Sequence, residues 1–300
     1  MGTIKDENVQ GGFRCRCNQN HRCKCILYRV QKKMNARVLG NEDGETVVLA
    51  HGYGGTRFVW DDVVPALAAR FRVVVFDWSF SGAVAASGGG ERYCSSYYAL
   101  ADELVALMDE LGVRQAAFVG HSMAGMIGCI ASVARRDLFS HLVLVGASPR
   151  YINEDGYEGG FERGDVDAML AAVDEDFAAW VPCFAEVVVG PDHPGAVSKF
   201  AKQLGAMRPD AALRVLRSVL TSDFRGVLPD VAARCTIVHC THDAVAPLAV
   251  ARYMQRALAG CGGVGADTVV IESSGHFPQL TAPKEFVRVL EAILLDRESN

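Results

Sequence analysis

Short apolar runs recur along the chain, and stretches with helical periodicity separate most of them. Each run is short, rich in β-branched residues and without polar alternation, as in a strand buried on both faces. The runs are Thr46–Ala50, Arg72–Phe76, Ala116–Val119, Leu142–Gly146, Thr236–Cys240 and Thr268–Ile271. The helical stretches include Val59–Arg70, Tyr97–Leu111, Val250–Leu258 and Lys284–Leu295. Such alternation predicts a mostly parallel sheet with helices on both faces.

The alternation stops between Tyr151 and about Phe224, where no comparable apolar run occurs. Three amphipathic helices are predicted there, at Asp165–Phe177, Gly195–Met207 and Pro209–Leu220, and Ala178–Val189 is less clear. A helical insertion this long, bounded by strands, predicts a lid over a site at the edge of the sheet.

One turn carries a candidate nucleophile. The apolar run that ends at Val119 leads into Gly120-His121-Ser122-Met123-Ala124-Gly125, and a helix of small residues follows. This resembles the G-x-S-x-G turn that exposes a serine between strand and helix, except that Ala124 stands where the second glycine is usual. Alanine is small enough for the turn. The alternative is a strand-to-helix connection in which the serine is incidental.

Two further residues at strand ends favour the nucleophile. Ser122, Asp243 and His276 each follow a predicted strand, and ligands of open parallel sheets bind beyond the carboxyl ends of the strands. A serine hydroxyl needs a base, imidazole suits that task, and a carboxylate fixes the imidazole tautomer. The chain order serine, aspartate, histidine is that of the α/β-hydrolase arrangement. The sequence therefore predicts an α/β-hydrolase fold and a catalytic triad.

The loop after the first of these strands, His51 to Gly55, is glycine-rich. We expect it to supply one backbone donor of an oxyanion hole, at Tyr53, and Met123 to supply the other. The alternative is an ordinary glycine turn.

The remaining histidines and one further aspartate fit catalysis less well. His51 is expected to support its own loop, His121 to point away from the serine, and His239 to lie in the core. His242 is too close to Asp243 in sequence to be its partner. Asp77 ends a strand but precedes the serine, out of order for the acid.

Composition narrows the class of protein. The 300 residues are half hydrophobic and carry a net charge of −5, which argues against a nucleic-acid binder. The sequence shows no membrane-spanning run and no signal peptide, so we expect a soluble intracellular protein without a membrane partner. Nothing in it indicates a cofactor.

The first 33 residues differ from the rest. They carry eight basic and two acidic side chains, a balance of +6 that leaves −11 for the remainder. They also hold His21 among Cys15, Cys17, Cys23 and Cys25. We expect a disordered basic extension with no metal, ahead of a hydrolase domain at 34–296 with its lid at about 151–224. A soft-metal site and a true start at Met34 are the alternatives.

Several stretches resemble the plant strigolactone/karrikin receptor family of α/β-hydrolases, which has a bacterial relative in a stress-response regulator of the RsbQ type. The likeness runs from about Met34 to Leu295, and two of its stretches lie in the lid. The matching stretches are Val48-Leu49-Ala50-His51-Gly52-Tyr53-Gly54, Val119-Gly120-His121-Ser122, Ala147-Ser148-Pro149-Arg150-Tyr151, Gly159-Gly160-Phe161-Glu162, Met207-Arg208-Pro209-Asp210 and Gly275-His276-Phe277-Pro278-Gln279-Leu280.

The resemblance implies a four-helix lid over an apolar pocket and slow hydrolysis of a butenolide signal by the triad. It also implies an F-box protein and repressor proteins as partners, in cytoplasm and nucleus. The ligand-binding residues that match the family by position are Tyr53, Tyr151, Phe161, Trp180 and Phe184, and Leu220 stands where the family usually has phenylalanine.

Two departures from the family place the chain nearest its divergent branch outside the two main receptor groups. They are Asp77-Trp78-Ser79-Phe80-Ser81-Gly82-Ala83 after the second strand and Met123-Ala124-Gly125 after the serine. Two functions fit: a butenolide receptor with slow turnover, and an ordinary esterase or lactonase without a receptor role. The turnover rate distinguishes them.

Overall fold

The structure is a computed structural model that describes residues 34–86, 95–258 and 266–296. The basic N-terminal segment and its cysteines lie outside the described residues, so what the sequence predicts for them stays a prediction.

Seven strands form one sheet through the described part of the chain. They are β1 (Arg37–Gly40), β2 (Thr46–Ala50), β3 (Arg72–Val75), β4 (Ala116–His121), β5 (Phe139–Val145), β6 (Arg234–His242) and β7 (Ala266–Ser274). Their order in the sheet is β1-β3-β2-β4-β5-β6-β7, and only β1 pairs antiparallel. The predicted mostly parallel sheet is confirmed.

The central strand β4 is buried along its whole length, because both sheet faces are covered. Successive side chains of a strand point to opposite faces. Phe118 accordingly belongs to the apolar cluster on the lid side, while Val119 belongs to the cluster on the other side. This burial accounts for the continuous apolar runs in the sequence.

Helices cover both faces and form the insertion. They are α1 (Val64–Ala68), α2 (Gly82–Ala86), α3 (Tyr97–Glu110), α4 (Met123–Ala134), α5 (Arg163–Glu175), α6 (Phe177–Val189), α7 (Pro194–Gly205), α8 (Pro209–Thr221), α9 (Leu248–Leu258), α10 (Pro278–Thr281) and α11 (Pro283–Leu295). Three 3-10 helices lie at Arg57–Trp60, Arg136–Leu138 and Arg225–Asp230. Among the helices described, none is long and apolar enough to cross a membrane.

The four helices α5 to α8 form the lid, and its two ends meet at one point. The backbone N–H of Phe224 donates to the Pro149 carbonyl at 2.8 Å, and Arg150 pairs with Asp223 at 2.9 Å. Asp223 also pairs with Arg225. The insertion therefore leaves the sheet after β5 and returns before β6, and its two ends are joined by these hydrogen bonds and ion pairs.

One element differs from the sequence expectation, and one that the sequence left open is a helix. The helix predicted at Val59–Arg70 is a 3-10 turn followed by the short α1, which starts where Pro65 fits a first helical turn. The stretch Ala178–Val189, left open above, belongs to the helix α6. Asp176 caps this helix by accepting from the Ala179 N–H at 3.0 Å.

Candidate active site

Ser122 lies on a sharp turn between β4 and α4. Its backbone is in a rare positive-φ conformation, φ 55° and ψ −125°, held by its N–H bond to the Val145 carbonyl at 2.7 Å. Strand and helix nearly touch here: a Cβ on Gly120 would stand 2.7 Å from the Gly125 nitrogen. A non-glycine residue with such strain at a strand end is typical of a functional site.

Asp243 and His276 lie beyond the ends of β6 and β7 and contact each other. His276 Nδ1 is 2.7 Å from Asp243 Oδ2, while Oδ1 accepts from the N–H groups of Val245 and Ala246 at 2.8 and 3.1 Å. Burial by itself raises the pKa of Asp243, but His276 and these hydrogen bonds outweigh it and hold the pKa below its usual range. The carboxylate is therefore ionised, and it directs the free lone pair of His276 to Nε2.

The loop that carries His276 is anchored to the lid. The His276 N–H donates to the carbonyl of Val188, near the end of α6, at 2.7 Å. Gly275 has φ +91°, and a Cβ there would lie 2.2 Å from the Val189 carbonyl oxygen. The position of the predicted catalytic histidine thus depends directly on the end of a lid helix.

Two other histidines brace the site. The Nδ1 of His51 contacts the Gly52 carbonyl at 2.8 Å, and its Nε2 accepts from the Trp78 N–H at 3.2 Å. The Nε2 of His121 contacts the His276 carbonyl at 2.8 Å. Burial, followed by the neighbouring His276, lowers the pKa of His121 to about 3. Both rings support loops of the site, as expected for His51.

A third buried histidine supports the loop of the acid. His239 Nε2 contacts the Ala246 carbonyl at 2.6 Å and lies 3.9 Å from Asp243 Oδ2. Burial lowers the pKa of His239 and exceeds the opposing effect of Asp243. Its place in a buried strand agrees with the core role that the sequence predicts.

The two predicted oxyanion donors flank the serine. Met123 is the first residue of α4, so its N–H has no carbonyl partner within the helix. On the other side, a Cβ on Gly52 would stand only 2.9 Å from the Ser122 Cβ, which places the Tyr53 loop directly beside the nucleophile. The Tyr53 hydroxyl itself is engaged with the Ala212 carbonyl at 3.1 Å. The arrangement is suited to an oxyanion hole, which stays a prediction.

An apolar cavity of about 220 Å³ lies between the lid and the sheet and ends on Ser122 and His276. All six side chains that the sequence singled out for ligand binding line it: Tyr53, Tyr151, Phe161, Trp180, Phe184 and Leu220. No Asp, Glu, Lys or Arg is among the described residues that line it. Such a wall favours a small uncharged ligand.

Much of the cavity wall belongs to α6. Trp180 and Phe184 stack with ring centroids 4.3 Å apart, and Cys183, Val187 and Val188 line the same cavity. The last three were missed from the sequence. Their spacing of three and four residues from Trp180 and Phe184 puts them on one helical face, a signal that was available once α6 was taken as a helix.

Tyr151 contacts the predicted nucleophile. Its hydroxyl is 3.3 Å from Ser122 Oγ, while His276 Nε2 is buried and has no hydrogen-bond partner among the described residues. Within the described residues, no group of histidine, cysteine or acidic side chains could hold a metal ion.

Comparison with known proteins agrees with this geometry. The profile of the Alpha/beta hydrolase family matches residues 47–289. The chain is 37% identical to strigolactone esterase D14 of Arabidopsis thaliana over 89% of this chain and 98% of that protein. It is 40% identical to Karrikin insensitive 2 receptor CA of Petunia hybrida, covering 87% and 95%. Among solved structures, a hydrolase from Oleispira antarctica superposes with a TM-score of 0.83 at 25% identity, covering 91% of this chain and 98% of that one.

Proposed function

This chain belongs to the alpha/beta hydrolase family, in the group of the strigolactone esterases and karrikin receptors, and on that premise we propose that it is a butenolide-signal hydrolase. It binds a small, neutral, largely apolar lactone or ester and hydrolyses it slowly. The observation that carries the proposal is the uncharged aromatic cavity that ends on Ser122 and His276.

The reaction follows from the positions of the triad. His276 takes the proton of Ser122 at Nε2, and Ser122 Oγ attacks the ligand carbonyl. Asp243 stabilises the imidazolium through the 2.7 Å contact at Nδ1. The N–H groups of Tyr53 and Met123 face the developing oxyanion. The His276 proton passes to the leaving oxygen, and water then hydrolyses the acyl-enzyme with His276 again as base.

The absence of charged side chains from the described cavity wall limits the ligand. A carboxylate placed against Trp180, Phe184 and Leu220 would lose its hydration without gaining a cation. The protein should therefore discriminate between an uncharged butenolide and an ester of similar size that carries a free carboxylate.

We further propose that the ligand-loaded lid binds an F-box protein and repressor proteins, in cytoplasm and nucleus. The support is the resemblance of the lid stretches around Tyr151 and Phe161 to the receptor family. A pull-down of each partner, with and without a butenolide and with Ser122→Ala as a second bait, tests it. Equal capture with and without ligand would contradict a signalling role.

A ligand panel tests the hydrolase itself. Purified wild type and Ser122→Ala are mixed with a strigolactone analogue, a karrikin-like butenolide, an aryl ester and a matched ester bearing a carboxylate. Product and melting temperature are recorded for each.

We expect both proteins to shift in melting temperature with butenolides, and only the wild type to release product. Its turnover should fall below the ordinary range of about 1 to 10³ per second. Ordinary turnover of the aryl ester, with no response to any butenolide, would instead indicate a general esterase.

A further inference from the structure

The serine hydroxyl has two possible hydrogen-bond partners, Tyr151 and His276, and contacts only the first. Ser122 Oγ lies 3.3 Å from the Tyr151 hydroxyl, and the structure gives it no hydrogen bond to His276. His276 Nε2, the atom that must accept the serine proton, is buried and has no hydrogen-bond partner in the part of the chain that the structure describes. Ser122 Oγ is thus within hydrogen-bond distance of the tyrosine hydroxyl and makes no hydrogen bond with its base.

Tyr151 is held in place by its surroundings. Its side chain is buried, and its carbonyl accepts from the Phe161 N–H at 3.0 Å. Gly159 packs so tightly against it that an added Cβ would stand 2.6 Å from the Tyr151 carbonyl carbon. A serine hydroxyl, by contrast, reorients by one χ1 rotation. The fixed tyrosine therefore determines where the mobile serine rests.

The tyrosine hydroxyl is a persistent partner. Burial raises the pKa of Tyr151 well above its usual range and exceeds the opposing effect of Ser122, so the phenol keeps its proton. It can donate to Ser122 Oγ or accept from it. A hydrogen bond in an apolar cavity is electrostatically stronger than the same bond in water.

We propose that Tyr151 restrains the nucleophile: its hydroxyl holds Ser122 Oγ away from His276 Nε2 until a ligand enters. Acylation then requires Ser122 to leave Tyr151 and rotate to the base. This assigns Tyr151 a role in the timing of the reaction as well as in lining the cavity. The inference rests on the triad geometry and does not depend on which ester or lactone the protein takes.

The effect has a predictable size. Replacing Tyr151 by phenylalanine keeps the ring and removes the hydroxyl, so Ser122 loses the competing bond. One uncharged hydrogen bond corresponds to a change of roughly two- to tenfold. We therefore expect Tyr151→Phe to react at Ser122 about fivefold faster than the wild type.

A small alkyl fluorophosphonate measures this step alone. The bond from Ser122 Oγ to phosphorus forms, the P–F bond breaks with loss of fluoride, and the hydroxyl proton passes to His276 Nε2. The maximum labelling rate and the half-saturating concentration are determined for wild type and Tyr151→Phe, with Ser122→Ala as the blank. Tyr157→Phe is the matched control, because its hydroxyl donates to the Arg150 carbonyl at 2.8 Å, outside the catalytic cavity.

The restraint predicts a faster maximum rate in Tyr151→Phe with an unchanged half-saturating concentration, while Tyr157→Phe stays at the wild-type rate. A purely structural role would instead lower the rate together with the melting temperature. An equal or slower maximum rate in a folded Tyr151→Phe overturns the proposal. Tyr151→Leu, which also lacks the hydroxyl, takes its place if the phenylalanine variant does not fold, with the same expected and contradicting results.

Discussion

Replacing Asp243 by asparagine should stop the reaction without removing a single contact. Asp243 Oδ1 accepts from two backbone N–H groups, those of Val245 and Ala246. The asparagine side-chain oxygen must occupy the Oδ1 position, because an NH₂ group there would face the two backbone N–H donors. Its NH₂ group then points at His276 Nδ1, which becomes an acceptor, and the imidazole proton moves to Nε2. A protonated Nε2 cannot take the serine proton.

The loss of turnover should be large, and the stability of the fold should change little. An enforced wrong tautomer costs about 10⁴ in turnover in serine proteases, and we expect a similar fall here. The amide replaces the carboxylate at equal volume with both backbone bonds kept, so the melting temperature should move by less than about 4 °C.

The assay is the release of p-nitrophenol from an aryl ester, with stopped-flow measurement of the first turnover. Asp137→Asn is the matched control, since Asp137 is 63% exposed and pairs with Arg135 at the surface. A folded Asp243→Asn that retains more than about a tenth of the wild-type rate would refute the tautomer argument, because a tautomer lock leaves no comparable base.

Three further predictions follow from the site and the joined ends of the lid. Gly52→Ala would bring a Cβ within 2.9 Å of the Ser122 Cβ, so the rate of ester hydrolysis should fall about 10²-fold. Gly226→Ala, where an added Cβ meets open space, is the control, and equal rates of the two variants would contradict the crowding argument. Hydrogen bonding to Arg225 is the main cause of a lowered pKa at Asp223. The carboxylate therefore stabilises the fold above its unfolded pKa, and this stabilisation is lost as the pH falls through the folded pKa. The free energies of unfolding of wild type and Asp223→Asn, measured by thermal unfolding, should differ by less than about 1 kcal/mol at pH 7. They should converge as the pH falls from about 4 through the folded pKa of Asp223, and a gap that persists at still lower pH would contradict the ion-pair account. Leu220→Phe adds an aromatic ring to the cavity wall and should tighten the binding of a strigolactone analogue, measured by titration, by about 0.5–1.5 kcal/mol. An unchanged affinity would show that this wall does not set ligand choice.

Most of the sheet was predictable because the strands β2 to β6 are buried, and continuous apolar sequence is the direct consequence of that burial. The sixth predicted run matches β7, which is partly exposed but carries the β-branched run Thr268–Ile271 typical of a strand. The edge strand β1 was missed for the opposite reason: three of its four residues, Arg37, Leu39 and Gly40, are exposed, so its sequence carries no apolar run. An exposed strand that pairs on one side only therefore gives little hydrophobic pattern from which to predict it.

That Ser122, Asp243 and His276 lie at one edge of the sheet was predictable, because each follows a strand and parallel strands bring their ends to one edge. Their hydrogen bonds were not. The contact of Ser122 with Tyr151, the bond from His276 to the lid at Val188, and the bracing of Asp243 by its loop depend on side-chain rotation and loop closure. No periodicity in the sequence encodes these.

An acid-quenched reaction shows whether Ser122 is acylated during turnover. Wild type and Ser122→Ala are mixed with an aryl ester for one turnover, quenched in acid, and digested with trypsin for peptide mass spectrometry. We expect one acyl group in the wild type, on Ser122 in the peptide 115–135, and none on that peptide in Ser122→Ala. Acylation at another residue with Ser122 unmodified, or wild-type product release by Ser122→Ala, would contradict it.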